Sequence, residues 1–322
     1  MAANNETLVT VFGGSGFLGR HVVRELARRD FRIRVAVRRP DLAGHLQPIG
    51  KVGQIQPMQA NLRYGDSVEA AVRGAEAVVN LVGILAESGK QSFANVQAAG
   101  AGVIAAAAKA ADARLVHVSA IGADENSPSA YARSKALGEK AVRDAMPSAT
   151  IMRPSIVFGA EDEFFNRFAA LAQLFPVLPL IGGGKTRFQP VFVGDVATAI
   201  ADVIEGKAAP GLTYELGGPE IMTMRQVMEF ILRTIEREGL MVPLPFFLAK
   251  FYALFLRYAP GPFKLTPDQV ELLKRDNIVS EEARAEGRTL AAFGIAPTTM
   301  EAIVPSYLWR FRKTGQFRRS MI

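Results

Sequence analysis

Tyr131 and Lys135 stand four residues apart in the run Tyr131-Ala-Arg-Ser-Lys135. On a helix this spacing puts both side chains on one face. An ammonium beside a phenol lowers the phenol pKa, so such a tyrosine can exchange a proton with a carbonyl or an alcohol while the lysine holds a ribose hydroxyl. A second group of residues suits anion binding. In Leu8-Val-Thr-Val-Phe-Gly-Gly-Ser-Gly-Phe-Leu-Gly19, glycines 13, 16 and 19 follow a strand-like run and open a helical one. Gly13 permits a tight turn, Gly16 lets the backbone approach a pyrophosphate, and Gly19 lets the helix pack closely on the sheet. The helix N-terminus then offers free N–H groups and a partial positive charge. Where a ribose-binding acid would end the second strand, the chain reads Val37-Arg38-Arg39-Pro40. A guanidinium there attracts a 2′-phosphate through forked, charge-assisted hydrogen bonds, which favours NADP(H) over NAD(H).

These residues need a scaffold that brings them together. Strand-like runs over 8–12, 32–37, 77–82, 114–119 and from 150 to 152 alternate with helical spacing over 17–29, 67–73, 91–111 and 131–145. This rhythm predicts an α/β fold, a doubly wound parallel sheet of the Rossmann type, over residues 1–154. After Pro154 prolines and glycines multiply, and a smaller C-terminal α/β region is expected over 155–322, with 191–203 returning to the first domain. Gly182-Gly-Gly-Lys-Thr186 ends like a phosphate-binding loop, but Pro179 stands where that motif needs glycine; it is read as a loop over the substrate side of the cofactor.

The 322 residues suffice for a sizeable core. The absence of cysteine excludes disulfides, thiolate metal sites and cysteine nucleophiles. His21, His45 and His117 are scattered, so no metal site is expected. The net charge of +7 suits an anionic partner, yet no nucleic-acid module is recognisable and nucleic acid is not an expected partner. Residues 240–262 are apolar and aromatic, but too short and interrupted to span a bilayer, which needs roughly 20 apolar residues. They suit either a membrane interface or a core helix. The tail over 307–322 joins Trp309, Phe311 and Phe317 to Arg310, Arg312, Lys313, Arg318 and Arg319 with no acid. Residues 1–7 lack a basic region followed by an apolar core, so no secretory signal is expected.

The motifs as a set resemble the extended or atypical short-chain dehydrogenase/reductase superfamily. They are Gly13-x-x-Gly16-x-x-Gly19, Asn61-Leu62-Arg63, Asn80-Leu81-Val82-Gly83, Tyr131-x-x-x-Lys135, Arg153-Pro154-Ser155-x-x-Phe158-Gly159 and Gln189-Pro190-Val191-x-Val193-x-Asp195. Within it the chain is most similar to the nucleotide-binding accessory subunits of respiratory complex I and their bacterial relatives. That similarity is carried by His117-Val-Ser-Ala-Ile-Gly122, Tyr131-Ala-Arg-Ser-Lys-Ala-Leu-Gly-Glu-Lys140 and Phe158-Gly-Ala-Glu-Asp-Glu-Phe-Phe-Asn166, with Leu244-Pro-Phe-Phe247 and Leu265-Thr-Pro-Asp-Gln-Val270. It implies cofactor contacts from Gly13, Ser15, Gly16, Phe17, Leu18, Gly19, Arg38, Asn61, Leu62, Val82, Gly83, Ser119, Tyr131, Lys135 and Pro154. Tyr131, Lys135 and Ser119 are its candidate catalytic residues. It also implies complex I subunits as partners and, with the apolar segment and the basic tail, a peripheral position on the cytoplasmic face of the inner membrane.

One departure bears on activity. Active extended members place a serine or threonine beside the tyrosine, and the position aligned with it here is Ile121, which cannot donate a hydrogen bond to a carbonyl. The expectation is therefore an NADP(H)-binding accessory or assembly protein with little turnover. The alternative is a free NAD(P)-dependent reductase, epimerase or dehydratase.

Overall fold

The structure, a computed structural model, describes residues 6–87, 89 and 91–315. In chain order β1 (Leu8–Phe12), α1 (Phe17–Arg28), β2 (Arg32–Val37), β3 (Ile55–Gln59), α2 (Gly65–Val72) and β4 (Ala77–Asn80) come first. A π-helical turn, Ala94–Ala99, leads into α3 (Gly100–Ala110), followed by β5 (Arg114–Val118), α4 (Ala130–Ala145) and β6 (Thr150–Pro154). The expected single helix over 91–111 is thus a π segment joined to an α-helix. Then come β7 (Val157–Phe158), α5 (Phe164–Leu174), β8 (Val177–Ile181), β9 (Arg187–Phe188), β10 (Val191–Phe192), α6 (Val193–Ile204), β11 (Thr213–Leu216), β12 (Met222–Thr223), α7 (Met224–Thr234), β13 (Leu240–Leu244) and α8 (Phe246–Leu256).

The chain divides into two compact units interleaved in sequence. The first comprises 1–154, 193–216 and 280–296. Its seven-stranded sheet runs β11-β6-β5-β4-β1-β2-β3, and every pairing in it is parallel. Parallel strands covered by helices are buried on both faces, which is why β1 and β4 read as nearly unbroken apolar runs. The order reverses between β1 and β4, and in such sheets ligands bind at the carboxyl ends of the strands beside that switch point. Alanines 101, 105, 107 and 108 of α3 are small enough to let the helix sit close on Val78 and Leu115. Helix α6 and strand β11 both belong to this unit, with the segment 280–296.

The second unit comprises 155–192, 217–279 and 297–322. Its core gathers Phe158, Phe165, Leu178, Leu180, Val227, Ile231, Val304 and Leu308. The carboxylate of Asp162 caps α5 by accepting from the Phe165 amide at 2.6 Å, and also accepts from the Tyr307 hydroxyl at 2.6 Å. Strands β8 and β13 pair in parallel, so the start of the apolar 240–262 segment is strand rather than helix. In α8 only Ala249 and Ala253 are buried, while Phe247, Phe251, Tyr252, Leu254 and Phe255 are exposed. Ala249 and Ala253 pack with Val270 in a small buried cluster, so the helix has one face in a core and leaves its larger side chains exposed. The described part of the tail differs from a free basic patch. Tyr307 and Leu308 are buried, Arg310 donates to the Asn166 side chain, and Arg312 donates to the Thr234 carbonyl at 2.9 Å. Phe317, Arg318 and Arg319 lie outside the described residues.

Candidate nucleotide-binding site

At the switch point the chain leaves β1 through Gly13, whose φ of 78° is left-handed backbone that glycine alone adopts without strain. The Gly16 amide donates back to the Gly13 carbonyl at 3.1 Å, and Gly16 caps α1. Phe17, Leu18 and Gly19 form the first turn of that helix. A Cβ on Gly19 would lie 2.4 Å from the Gly13 oxygen, so this glycine sets the close approach of helix to loop. A Cβ on Gly14 would press on Val35 at 2.8 Å, so this glycine, absent from the expected set, also serves packing. Gly16 is exposed, and a Cβ there would meet only the Gly13 oxygen, at 3.3 Å, so its outer side is left to a phosphate.

An open groove of about 300 Å³ runs from this loop across the ends of β2, β3 and β4. Of the expected residues it brings together Gly13, Ser15, Gly16, Arg38, Asn61, Leu62, Val82 and Gly83. Phe17, Leu18, Gly19, Ser119, Tyr131, Lys135 and Pro154 are not in its lining. Arg63 and Asn95 are, and were not among the expected residues. No aspartate or glutamate lines it. Arg38 and Arg39 take different roles: Arg39 is tied to Asp41 at 2.8 Å and lies outside the lining, whereas Arg38 turns into the groove. The Val82 amide donates to Asn80 Oδ1 at 3.0 Å, which fixes the β4 loop that forms the far wall.

The Tyr131–Lys135 pair sits on α4, whose N-cap Ser129 accepts from the Ala132 amide at 3.2 Å. Lys135 is buried. Its Nζ donates to the Val118 carbonyl at 3.3 Å and would lie 3.3 Å from a Cβ on Gly83, which joins this end to the groove wall. The ammonium is 5.9 Å from the centre of the Tyr131 ring, and Phe93 packs edge-on against that ring at 6.1 Å. Burial pushes the Tyr131 phenol up to about 12. Burial pulls the Lys135 ammonium down to about 8 against the pull of Glu139. The rise of the phenol runs opposite to the lowering that the neighbouring lysine charge would give by itself. Glu139 is itself held by a forked pair with Arg153 at 2.8 and 2.7 Å, which anchors α4 to β6.

Ser119 follows β5 and is buried, and its Oγ has no hydrogen-bond partner among the described residues. The same holds for Nε2 of His117, whose Nδ1 meets the Asn80 side chain at 3.0 Å. Burial, helped by the charge on Lys135, lowers the His117 imidazole to about 3, so it is neutral. Ile121 sits in the turn after β5, where its amide donates to the Pro154 carbonyl at 3.1 Å. An orphaned hydroxyl beyond the groove and an open glycine cradle are what a nicotinamide dinucleotide would fill. The residues present therefore fit that cofactor: the Gly13–Gly19 loop for the pyrophosphate, Arg38 and Asn61 for the adenosine end, and Ser119, Tyr131 and Lys135 for the nicotinamide riboside. Among the described residues no His, Asp or Glu cluster could hold a metal.

Sheet order, glycine loop and the Tyr131–Lys135 helix define a protein of the extended short-chain dehydrogenase/reductase type. The chain belongs to the family described as the RmlD substrate binding domain, which matches residues 7–245. It is 36% identical over 320 residues to the mitochondrial NADH dehydrogenase (ubiquinone) 1 alpha subcomplex subunit 9 of Arabidopsis thaliana, covering 96% of this chain and 79% of that protein. It is also 36% identical over 200 residues, 62% of each chain, to a ceramide reductase of Caulobacter vibrioides. Its fold is that of the NADPH-dependent quinone oxidoreductase of Escherichia coli, with a TM-score of 0.73 at 21% identity over 94% of this chain and 99% of that one.

Proposed function

We propose that the protein is an NADP(H)-binding accessory or assembly component of respiratory NADH:quinone oxidoreductase with little turnover of its own. The observation that carries this reading is a groove with arginine and no acid at its adenosine end, and Ile121 in place of a hydroxyl donor supports the low turnover. The long match to a complex I subunit supports the partner. The test is purification of the native untagged assembly from membranes with analysis of bound nucleotide. Quinone oxidoreductase subunits in fixed ratio together with NADPH are expected. A protein that co-purifies with no such subunit overturns the partner, and one that carries no nucleotide overturns the cofactor.

The second unit supports a peripheral place on the cytoplasmic face of the membrane. No described helix is long and apolar enough to cross a bilayer. Helix α8 turns its alanines inward and Phe247, Phe251, Tyr252 and Phe255 outward, and 240–264 holds Arg257, Lys264 and Lys250, the last paired with Glu271 at 3.5 Å. Apolar insertion and basic charge together are what surface attachment needs. Phe251→Ser with Phe255→Ser is expected to release the protein from membranes at low salt with the fold intact. Unchanged fractionation would overturn the attachment.

A second reading, a free reductase, is favoured by the buried Ser119 hydroxyl, which has no partner among the described residues, and by the likeness to a ceramide reductase. NADPH oxidation with a long-chain carbonyl substrate, lost in Tyr131→Phe, would establish it.

A further inference from the structure

We propose that Arg63 is a second phosphate-binding guanidinium of the adenosine groove and acts with Arg38 on the 2′-phosphate of the dinucleotide. This rests on the reading of the groove as an NADP(H) site. Arg38 follows β2 directly, and Arg63 lies in the loop after β3. The two strands are neighbours with Val37 opposite Gln59, so both loops leave the same end of the sheet side by side. Both arginines line the same groove of about 300 Å³, and no carboxylate lines it to neutralise either one. Neither makes an ion pair with an acid among the described residues, unlike Arg39, which is held by Asp41.

The loop that carries Arg63 is braced. The Asn61 amide donates to Ser67 Oγ at 3.0 Å, Ser67 Oγ donates to the Tyr64 carbonyl at 2.7 Å, and the Arg63 amide donates to Asn61 Oδ1 at 3.2 Å. Its backbone is therefore fixed and only the exposed side chain has to be ordered on binding. A phosphate dianion has acceptor oxygens for more than one guanidinium, and each forked contact adds to the preference for the phosphorylated cofactor. The same braced loop gives the groove Asn61 and Leu62, so Arg63 enters the groove from the β3 loop while Arg38 enters it from the end of β2.

The test uses the full-length protein and calorimetric titration with NADPH, NADH and 2′,5′-ADP. Arg63→Ala is compared with the unmodified chain and with Lys109→Gln, an exposed cation on α3 outside the groove. Arg63→Ala should weaken NADPH and 2′,5′-ADP by about tenfold, the scale of one exposed charge-assisted hydrogen bond, and leave NADH within about twofold. The salt dependence of NADPH binding should become shallower, because one cation fewer meets the phosphate. Lys109→Gln should change none of these. Equal losses for NADH and NADPH would show that Arg63 serves the adenosine common to both and would overturn the proposal. An unchanged NADPH affinity would overturn it alone and leave the NADP(H) reading standing. An unmodified chain that binds neither nucleotide would end both. An unchanged thermal midpoint in Arg63→Ala shows that any loss is not unfolding.

Discussion

The two ends of the site in the first unit differ in how they are prepared. The end at β2, β3 and β4 is open, cationic and braced: a groove with Arg38 and Arg63, no acid, and loops tied by the Asn61 and Asn80 side chains. At the other end Lys135 and Ser119 are buried and Tyr131 is half-buried, and burial raises the phenol to about 12 and lowers the ammonium to about 8. The two ends can be perturbed separately.

The harshest perturbation is Gly19→Ala. With its Cβ 2.4 Å from the Gly13 oxygen and 2.6 Å from the Gly14 backbone, the loop and helix must part. A stability loss of about 3 kcal/mol and abolished nucleotide binding are expected, read by thermal unfolding and titration. A variant as stable as the parent would show that the loop is not held by this contact.

Next is Arg38→Asp. Placing an acid at the end of β2 should cost about 1–3 kcal/mol of NADPH affinity and spare NADH, as measured by calorimetry. Equal NADH and NADPH binding in the unmodified chain would remove the cationic end from the comparison.

The smaller effect is on pH dependence at the buried end. The folded pKa of Lys135 lies near 8, below its ordinary value of 10.5. Between these values the unfolded chain still holds a proton that the folded chain has released, so stability rises with pH across that window and the deficit is fully present below it. Lys135→Met should flatten the rise between about pH 8 and 10.5 and raise stability at neutral pH by about 1–2 kcal/mol. A rise that persists in the variant would place its origin elsewhere.

The glycine loop, the alternation of strands and helices up to Pro154, and the Tyr131–Lys135 helix could all be read from the sequence because each is set by local spacing. The rest depends on contacts distant in the chain. Arg63 became part of the groove only because β3 lies at the sheet edge beside β2. The pairing of β8 with β13 joins residues about sixty apart, and no period within 240–244 announces a strand. The outward aromatics of α8 could not be read either, since the helix is apolar apart from Lys250 and its buried side is lined by the small Ala249 and Ala253. The depressed His117 and Lys135 depend on burial that strand and helix packing create, and residue type alone does not reveal it.

The central claim, binding without turnover, is tested most directly on one preparation. NADPH affinity is measured by titration, and NADPH oxidation is followed against a panel of quinone, sugar-nucleotide and long-chain carbonyl substrates in the unmodified chain and in Tyr131→Phe. Tight NADPH binding with oxidation no faster than in Tyr131→Phe is the predicted result. Robust oxidation that disappears in Tyr131→Phe would contradict it.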